Sequence, residues 1–257
     1  MTIAHLSDLH LGKSPNQRTA CLALRDAISE CHADHVIVTG DITEHGSASE
    51  LALFKEIFKE IFSGLLVSGK MTIVPGNHDR LGDESAKDMM DGRVGLTTGQ
   101  GFRVIAIDST GPHNRRSFAS HGKVDDAIIA QVMDLIDRTP PDDFVIVALH
   151  HHLLPLPEDL WLETFSKWLH LPYAAELRLG RKLLEKLQDK CDLVLHGHRH
   201  APSEKIFLTD KNVQARCDGR DLFLYNAGSS TALGRFRIFN IQNGKLQGPP
   251  MWVEANI

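Results

Sequence analysis

The stretch "VIVTGDITEHG", residues 36–46, decides how this chain is read. Residues suited to a buried strand, Val36 to Thr39, run into Gly40 and then into a carboxylate, Asp41. Gly and Asp favour turns, so one such ending is ordinary. Here the ending recurs. "TIAHLSDLH" sets Asp8 and His10 after a strand, and "TIVPGNHD" sets Asn77, His78 and Asp79. "VIVALHHH" sets His150, His151 and His152, and "LVLHGHRH" sets His198 and His200.

Helices are expected between these strands. "RTACLALRDAISECH" repeats apolar residues at helical spacing through Cys21, Leu24, Ala27, Ile28 and Cys31. "SASELALFKEIFKEIF" opens with Ser47 and has Glu50 three positions later, a capping box, and its Leu51, Phe54, Phe58 and Ile61 form one apolar face. "DDAIIAQVMDLIDR" and "ELRLGRKLLEKLQDK" read as two more helices. Residues 80–100 show weak periodicity and read as irregular. The last fifty residues read as short strands joined by turns such as Asn243-Gly244. Strand–helix alternation followed by antiparallel strands predicts two sheets with helices outside.

The chain has 257 residues, enough for a large buried core. No repeat, low-complexity tract or Gly/Ser linker marks a boundary, so one domain over residues 1–257 is expected. Residues 153–173, with Trp161, Phe165 and Trp168, read as a cap over a pocket or as a helix packed by its aromatics. No apolar run reaches the roughly 20 residues that span a bilayer, so no membrane partner is expected. The start "MTIAHLSDLHLG" lacks the basic and apolar regions of a signal peptide. Cys21, Cys31, Cys191 and Cys217 form no CxxC pair, as expected of reduced thiols in a cytoplasmic protein. A net charge of -5 disfavours a dedicated binder of long nucleic acid. Oligomeric state is left open, a homo-oligomer included.

The chemistry lies in the strand ends. Eight of the 15 His (His10, His78, His150, His151, His152, His196, His198 and His200) lie in or beside these motifs. Each motif alone is weak, since Asp-x-His and His-x-His pairs have bland structural uses. Five in order, all from the Asp/Asn/His set, point to a shared rim where ligand sites of α/β sheets lie. Carboxylate, amide and imidazole groups of this kind suit borderline cations such as Mn, Fe or Zn.

Taken in order, "DLH", "GDITE", "GNHD", "HHH" and "GHRH" resemble the calcineurin-like metallophosphoesterase superfamily, over residues 8–200. The resemblance implies an α/β fold, a four-layer α/β/β/α sandwich of two mixed sheets, with a two-metal centre between them. It implies Asp8, His10 and His200 on the first metal, and Asn77, His150 and His198 on the second. Asp41 would bridge them, completing a set of two carboxylates, an amide oxygen and four imidazoles. Two such cations about 3.5–4 Å apart would acidify a bridging water and hold the oxygens of an in-line displacement. His78 would donate a proton to the leaving oxygen, oriented by Asp79. Two features depart from the family pattern. The fourth motif is "HHHLLPLP" where HHPP is commoner, and a one-residue shift would make the ligand His151. Arg199 stands where a small residue is usual. Arg115 and Arg116, in a loop after a strand, read as a solvated basic loop or as guanidinium groups that could hold a phosphate bidentately.

The motif order looks most like the cyclic-nucleotide and glycerophosphodiester branch. The expected activity is hydrolysis of small phosphodiesters by attack of a metal-bridging hydroxide. Alternatives on the same fold are a nuclease, a phosphomonoesterase, or a metal-free scaffold. The chain lacks the longer "GDxVDRG" context of protein serine/threonine phosphatases.

Overall fold

The computed structural model describes residues 1–59, 61, 71–82, 85–116, 119–154, 177–207 and 221–256. All but Leu153 and Leu154 of the expected cap segment 153–173 lie outside them.

The elements in chain order are β1 (Thr2–Leu6), α1 (Pro15–Glu30), β2 (His35–Thr39), α2 (Ala48–Ile57), β3 (Met71–Val74), β4 (Val94–Gly99) and β5 (Phe102–Ile107). Then come β6 (Gly122–Lys123), α3 (Asp126–Asp137), β7 (Phe144–Leu149), β8 (Leu177–Arg178), α4 (Gly180–Leu187), β9 (Leu193–His196), β10 (Ser203–Phe207) and β11 (Leu222–Asn226). A helical turn, Ser230–Leu233, leads to β12 (Arg235–Gln242), β13 (Lys245–Leu246) and β14 (Met251–Glu254).

Two large mixed sheets form. The first runs β13-β12-β1-β2-β3, with β14 also on β12; the second runs β10-β11-β9-β7-β5-β4. In the first, β1, β2 and β3 are parallel to one another; in the second, β5, β7, β9 and β11 are. Three apolar cores separate the layers. Leu24 and Ile28 of α1, with Leu51 and Phe54 of α2, pack on Leu6 and Val38 of the first sheet. Ile128 and Val132 of α3, with Leu183 and Leu187 of α4, pack on Val147 and Val194 of the second. Ile3, Ile37, Ile146, Leu195 and Phe239 fill the space between the sheets. Helix, sheet, sheet and helix make four layers, as the motifs imply.

Local signals account for the helices. The Ser47 hydroxyl accepts from Glu50 N at 3.2 Å and the Glu50 carboxylate accepts from Ser47 N at 3.3 Å, closing the capping box. Asp125 caps α3 by accepting from Ile128 N at 3.0 Å. At the β12–β13 hairpin Asn243 and Gly244 both have positive φ, 51° and 67°, as its two-residue turn demands.

Two expectations give way. The segment read as irregular contains β4, which pairs antiparallel along all of β5. It is an edge strand of Gly and Thr with alternating exposure, so its pattern is faint. The last predicted helix starts at Gly180, because Leu177–Arg178 pairs with Gly122–Lys123.

The core between the sheets also holds imidazoles. His35 Nε2 lies 2.9 Å from Thr72 Oγ1, and burial lowers its pKa to about 4. Folded His35 therefore refuses a proton that the unfolded chain accepts below about pH 6.5. Its contribution to stability is whole above pH 6.5 and falls away as the pH drops to 4, by about 3 kcal/mol in all. Urea unfolding at pH 7 and pH 5 should show a smaller loss on acidification for His35→Gln than for wild type. Equal losses would show that His35 is not the titrating group.

Candidate metal centre

All parallel strands of both sheets end on one rim. After β1 come Asp8 and His10, after β2 Asp41, after β3 Asn77 and His78, after β7 His150, and after β9 His198 and His200. The turns there are tight: Asp8, His10, Asp41 and His198 have φ of 54°, 49°, 49° and 72°. Such left-handed backbone is uncommon outside Gly and gathers at functional sites. Gly40, φ 86°, makes the turn before Asp41. A Cβ there would stand 2.5 Å from His150 Nδ1 and 2.7 Å from Gly76 N, so only Gly fits.

The side chains converge. Asn77 Oδ1 lies 2.9 Å from His198 Nδ1 and 3.2 Å from His150 Nε2, and those two nitrogens are 3.2 Å apart. His150 Nε2 is also 3.4 Å from Asp41 Oδ2. His10 Nε2 lies 3.0 Å from His200 Nε2, which is 3.6 Å from Asp8 Oδ1. The backbone N–H of His78 donates to Asp41 Oδ1 at 2.8 Å. Among the described residues, four groups of three donors lie within 4.8 Å of one another: Asp8–His10–His200, His10–Asp41–His78, Asp8–Asp41–His150 and His150–His151–His198. Shared members chain them into one cluster.

His150 and His151 behave differently. His150 Nδ1 donates to Thr39 O at 2.7 Å, which turns Nε2 toward the cluster; burial works against its protonation, but Asp41 and Asp8 raise its pKa to about 9, as expected where carboxylates stand without a cation. His151 has both ring nitrogens engaged, Nδ1 with Ser109 Oγ and Nε2 with Ser120 O, each at 2.8 Å.

This donor set fits cations. Burial pushes Asp8 up to about 7, the mark of a carboxylate with too little positive charge beside it. Burial lowers His10 to about 4 and His198 to about 3, so both imidazoles are neutral at pH 7 with lone pairs available. Burial works against ionisation of Asp41 too, but His150 beside it holds its carboxyl well below the usual range. Imidazole and amide groups crowded to about 3 Å of one another, beside two carboxylates, match a site built for positive charge.

Supporting contacts include residues that the motifs did not single out. Glu44 Oε2 lies 2.8 Å from His10 Nδ1 and 3.7 Å from His78 Nδ1. His78 Nδ1 donates to Glu44 O at 2.9 Å, which orients the ring. The Asp79 carboxylate accepts from Thr43 N, Thr43 Oγ1, Gly76 N and Ile42 N at 2.8, 2.7, 2.8 and 3.3 Å. It pins the loops after β2 and β3 together. Ser229 Oγ donates to Asp8 O at 2.8 Å and Thr231 Oγ1 to Leu9 O at 3.0 Å. Glu44 stands in the quoted "GDITE", but nothing in the spacing says that it reaches His10.

A family model of calcineurin-like phosphoesterases matches residues 1–202. The chain belongs to that family. It is a phosphoric ester hydrolase, and membership of this metallophosphoesterase family implies divalent metal ions. A probable cyclic nucleotide phosphodiesterase of Vesicomyosocius okutanii is 24% identical over 200 residues, 78% of this chain and 76% of that protein. A 3′,5′-cyclic adenosine monophosphate phosphodiesterase of Haemophilus influenzae is 24% identical over 172 residues, 65% of this chain and 54% of that one. A probable glycerophosphodiester phosphodiesterase of Arcobacter nitrofigilis is 24% identical over 228 residues, 80% of this chain and 74% of that one. The fold is shared with a dimetal phosphatase of Danio rerio, with a TM-score of 0.62 at 10% identity over 100% of this chain and 99% of that one. A purple acid phosphatase from yellow lupin seeds gives a TM-score of 0.62 at 12% identity, over 95% of this chain and 50% of that one. Among the described residues no helix is long and apolar enough to cross a membrane.

Replacing Gly40 by Ala should push His150 and the strand end apart. Metal affinity, measured by titration into the stripped protein, should fall about 10–100-fold, as for loss of a supporting contact. Unchanged affinity would show that the tight turn does not set the ligand positions.

Proposed function

We propose that the protein hydrolyses small phosphodiesters of the cyclic-nucleotide or glycerophosphodiester type at a two-cation centre. Asp8, His10 and His200 would hold one cation, Asn77, His150 and His198 the other, with Asp41 between them. The observation that carries the reading is the convergence of this donor set with His78 beside it. When bound, the cations acidify a water molecule and neutralise phosphoryl charge. Imidazole and carboxylate donors favour Mn, Fe or Zn over Mg.

The chain's own groups do the rest. His78 is partly open to solvent, and its ring lies edge-on to His10 with centroids 4.8 Å apart. With Nδ1 held on Glu44 O, its Nε2 is the atom left to give a proton to the departing oxygen. The Glu44 carboxylate, near both His10 and His78, is a positioning residue for the pair. Asp79 keeps the two loops that carry Asp41 and His78 in register. Preference for diesters is supported by the phosphodiesterase names of the relatives, and preference for small ones by the net charge of -5.

Stripped protein given manganese should cleave bis-p-nitrophenyl phosphate and a 3′,5′-cyclic nucleotide faster than p-nitrophenyl phosphate or single-stranded DNA. Faster cleavage of the monoester or of DNA would reassign the substrate. His78→Ala should keep its manganese while kcat falls about 10²–10⁴-fold, the usual range for a proton-transfer group. A metal-loaded His78→Ala protein of normal activity would remove His78 from the chemistry.

A further inference from the structure

The third histidine after β7 has no task in the centre described above. His152 falls where the HHPP form of the motif has a proline, and it is 1% exposed. Both of its ring nitrogens are buried, and neither has a hydrogen-bond partner among the described residues. Its two neighbours are accounted for: His150 bonds to Thr39 O, and His151 to Ser109 Oγ and Ser120 O. Filling space is the ordinary explanation of a buried side chain. It does not account for an imidazole here, because buried polar atoms without partners weaken a fold and an aliphatic side chain of similar size would avoid that cost.

What the ring touches supplies a reason. It lies 5.9 Å from the ring of His198 with the planes 23° apart, a stacked pair within the usual range of aromatic contacts. His198 needs such support. An imidazole that holds a cation is normally oriented by a hydrogen bond from its other nitrogen. His150 has one, to Thr39 O, and His10 Nδ1 faces Glu44 Oε2 at 2.8 Å. The ring of His198 meets Asn77 and His150 through Nδ1, and no hydrogen bond from the described residues holds its Nε2. His198 also stands on left-handed backbone, φ 72°, and is only partly buried. A flat ring packed along it restricts the rotation that a hydrogen bond would otherwise stop.

We propose that His152 is a positioning residue for His198, and that its stacked ring keeps His198 aimed at the second cation. This role rests on the two-cation reading and deepens it: part of the affinity of the second site comes from a group that touches no cation.

Calorimetric titration of zinc into stripped protein tests the role without turnover. In a His200→Ala background, which removes a donor to the first cation, His152→Leu should weaken zinc binding about 10–100-fold. His152→Phe keeps a flat ring and should stay within about threefold of the parent. In a His198→Ala background the positioned ring is gone, and His152→Leu should change the affinity by less than about twofold. Both substitutions remove two unpaired buried nitrogens, so the Tm of the stripped protein should not fall. Weaker binding together with a lower Tm would make His152 an ordinary core residue and overturn the proposal. Equal losses for the two substitutions, or equal losses in the two backgrounds, also overturn it. A wild type that takes up a single zinc ion removes the two-cation reading and the role of His152 with it. Two ions bound, with the same affinities in wild type and His152→Leu, remove the role of His152 alone.

Discussion

Everything at the rim depends on backbone held in an unfavourable conformation. Asp8, His10, Asp41 and His198 all occupy the left-handed region, where a side chain crowds the backbone and each residue costs on the order of 1–3 kcal/mol. Neighbouring loops keep them there. Asp8 N donates to Gly40 O at 3.0 Å, His10 N to Asp41 O at 2.9 Å and Leu11 N to Ile42 O at 2.9 Å, so the loops after β1 and β2 zip together beyond their strands. Ser229 and Thr231 hold the other side of the β1 loop through its carbonyls. A rigid scaffold thus supplies the energy that points carboxylates and imidazoles at one another.

The donors are divided between the sheets. The first sheet presents Asp8, His10, Asp41 and Asn77; the second presents His150, His198 and His200. Neither sheet alone has both carboxylates and the facing imidazoles. Packing of the inner core brings the halves to the right separation, and the bond from His150 to Thr39 O fixes that separation at the rim itself. Formation of the cluster is therefore coupled to closure of the sandwich. A defect in Ile37 or Phe239, far from any donor, would be felt at the rim through the spacing of the sheets.

The legible parts of this protein were those whose signal is local. Val36–Thr39 followed by Gly40 and Asp41 announces both a strand and its end, and Ser47 with Glu50 announces a helix start. Strand ends in a parallel sheet must share a rim, so the convergence of Asp8, Asp41, Asn77, His150 and His198 followed from topology. The hidden parts depend on distant partners. Glu44 matters because of His10 and His78, and Asp79 because of Thr43 and Gly76. Ser229 and Thr231 come from the far end of the chain. β4 exists because β5 offers it an edge, since Gly95, Thr97, Thr98 and Gly99 have little strand character of their own.

The neighbours His150 and His151 show how one strand can serve two purposes. Side chains alternate along a strand. Ile146 and Ala148 face the space between the sheets, whereas Val147 and Leu149 face the helices. His150 continues the first series and reaches across to Thr39 O and the cluster. His151 continues the second, where Ser109 and Ser120 take both its nitrogens. A single peptide step therefore separates a member of the cluster from the residue that ties down the loop after β5 through Ser120 O. Any shift of this strand end would move the cluster and the end of that loop together, so the pleat of β7 sets the spacing between them.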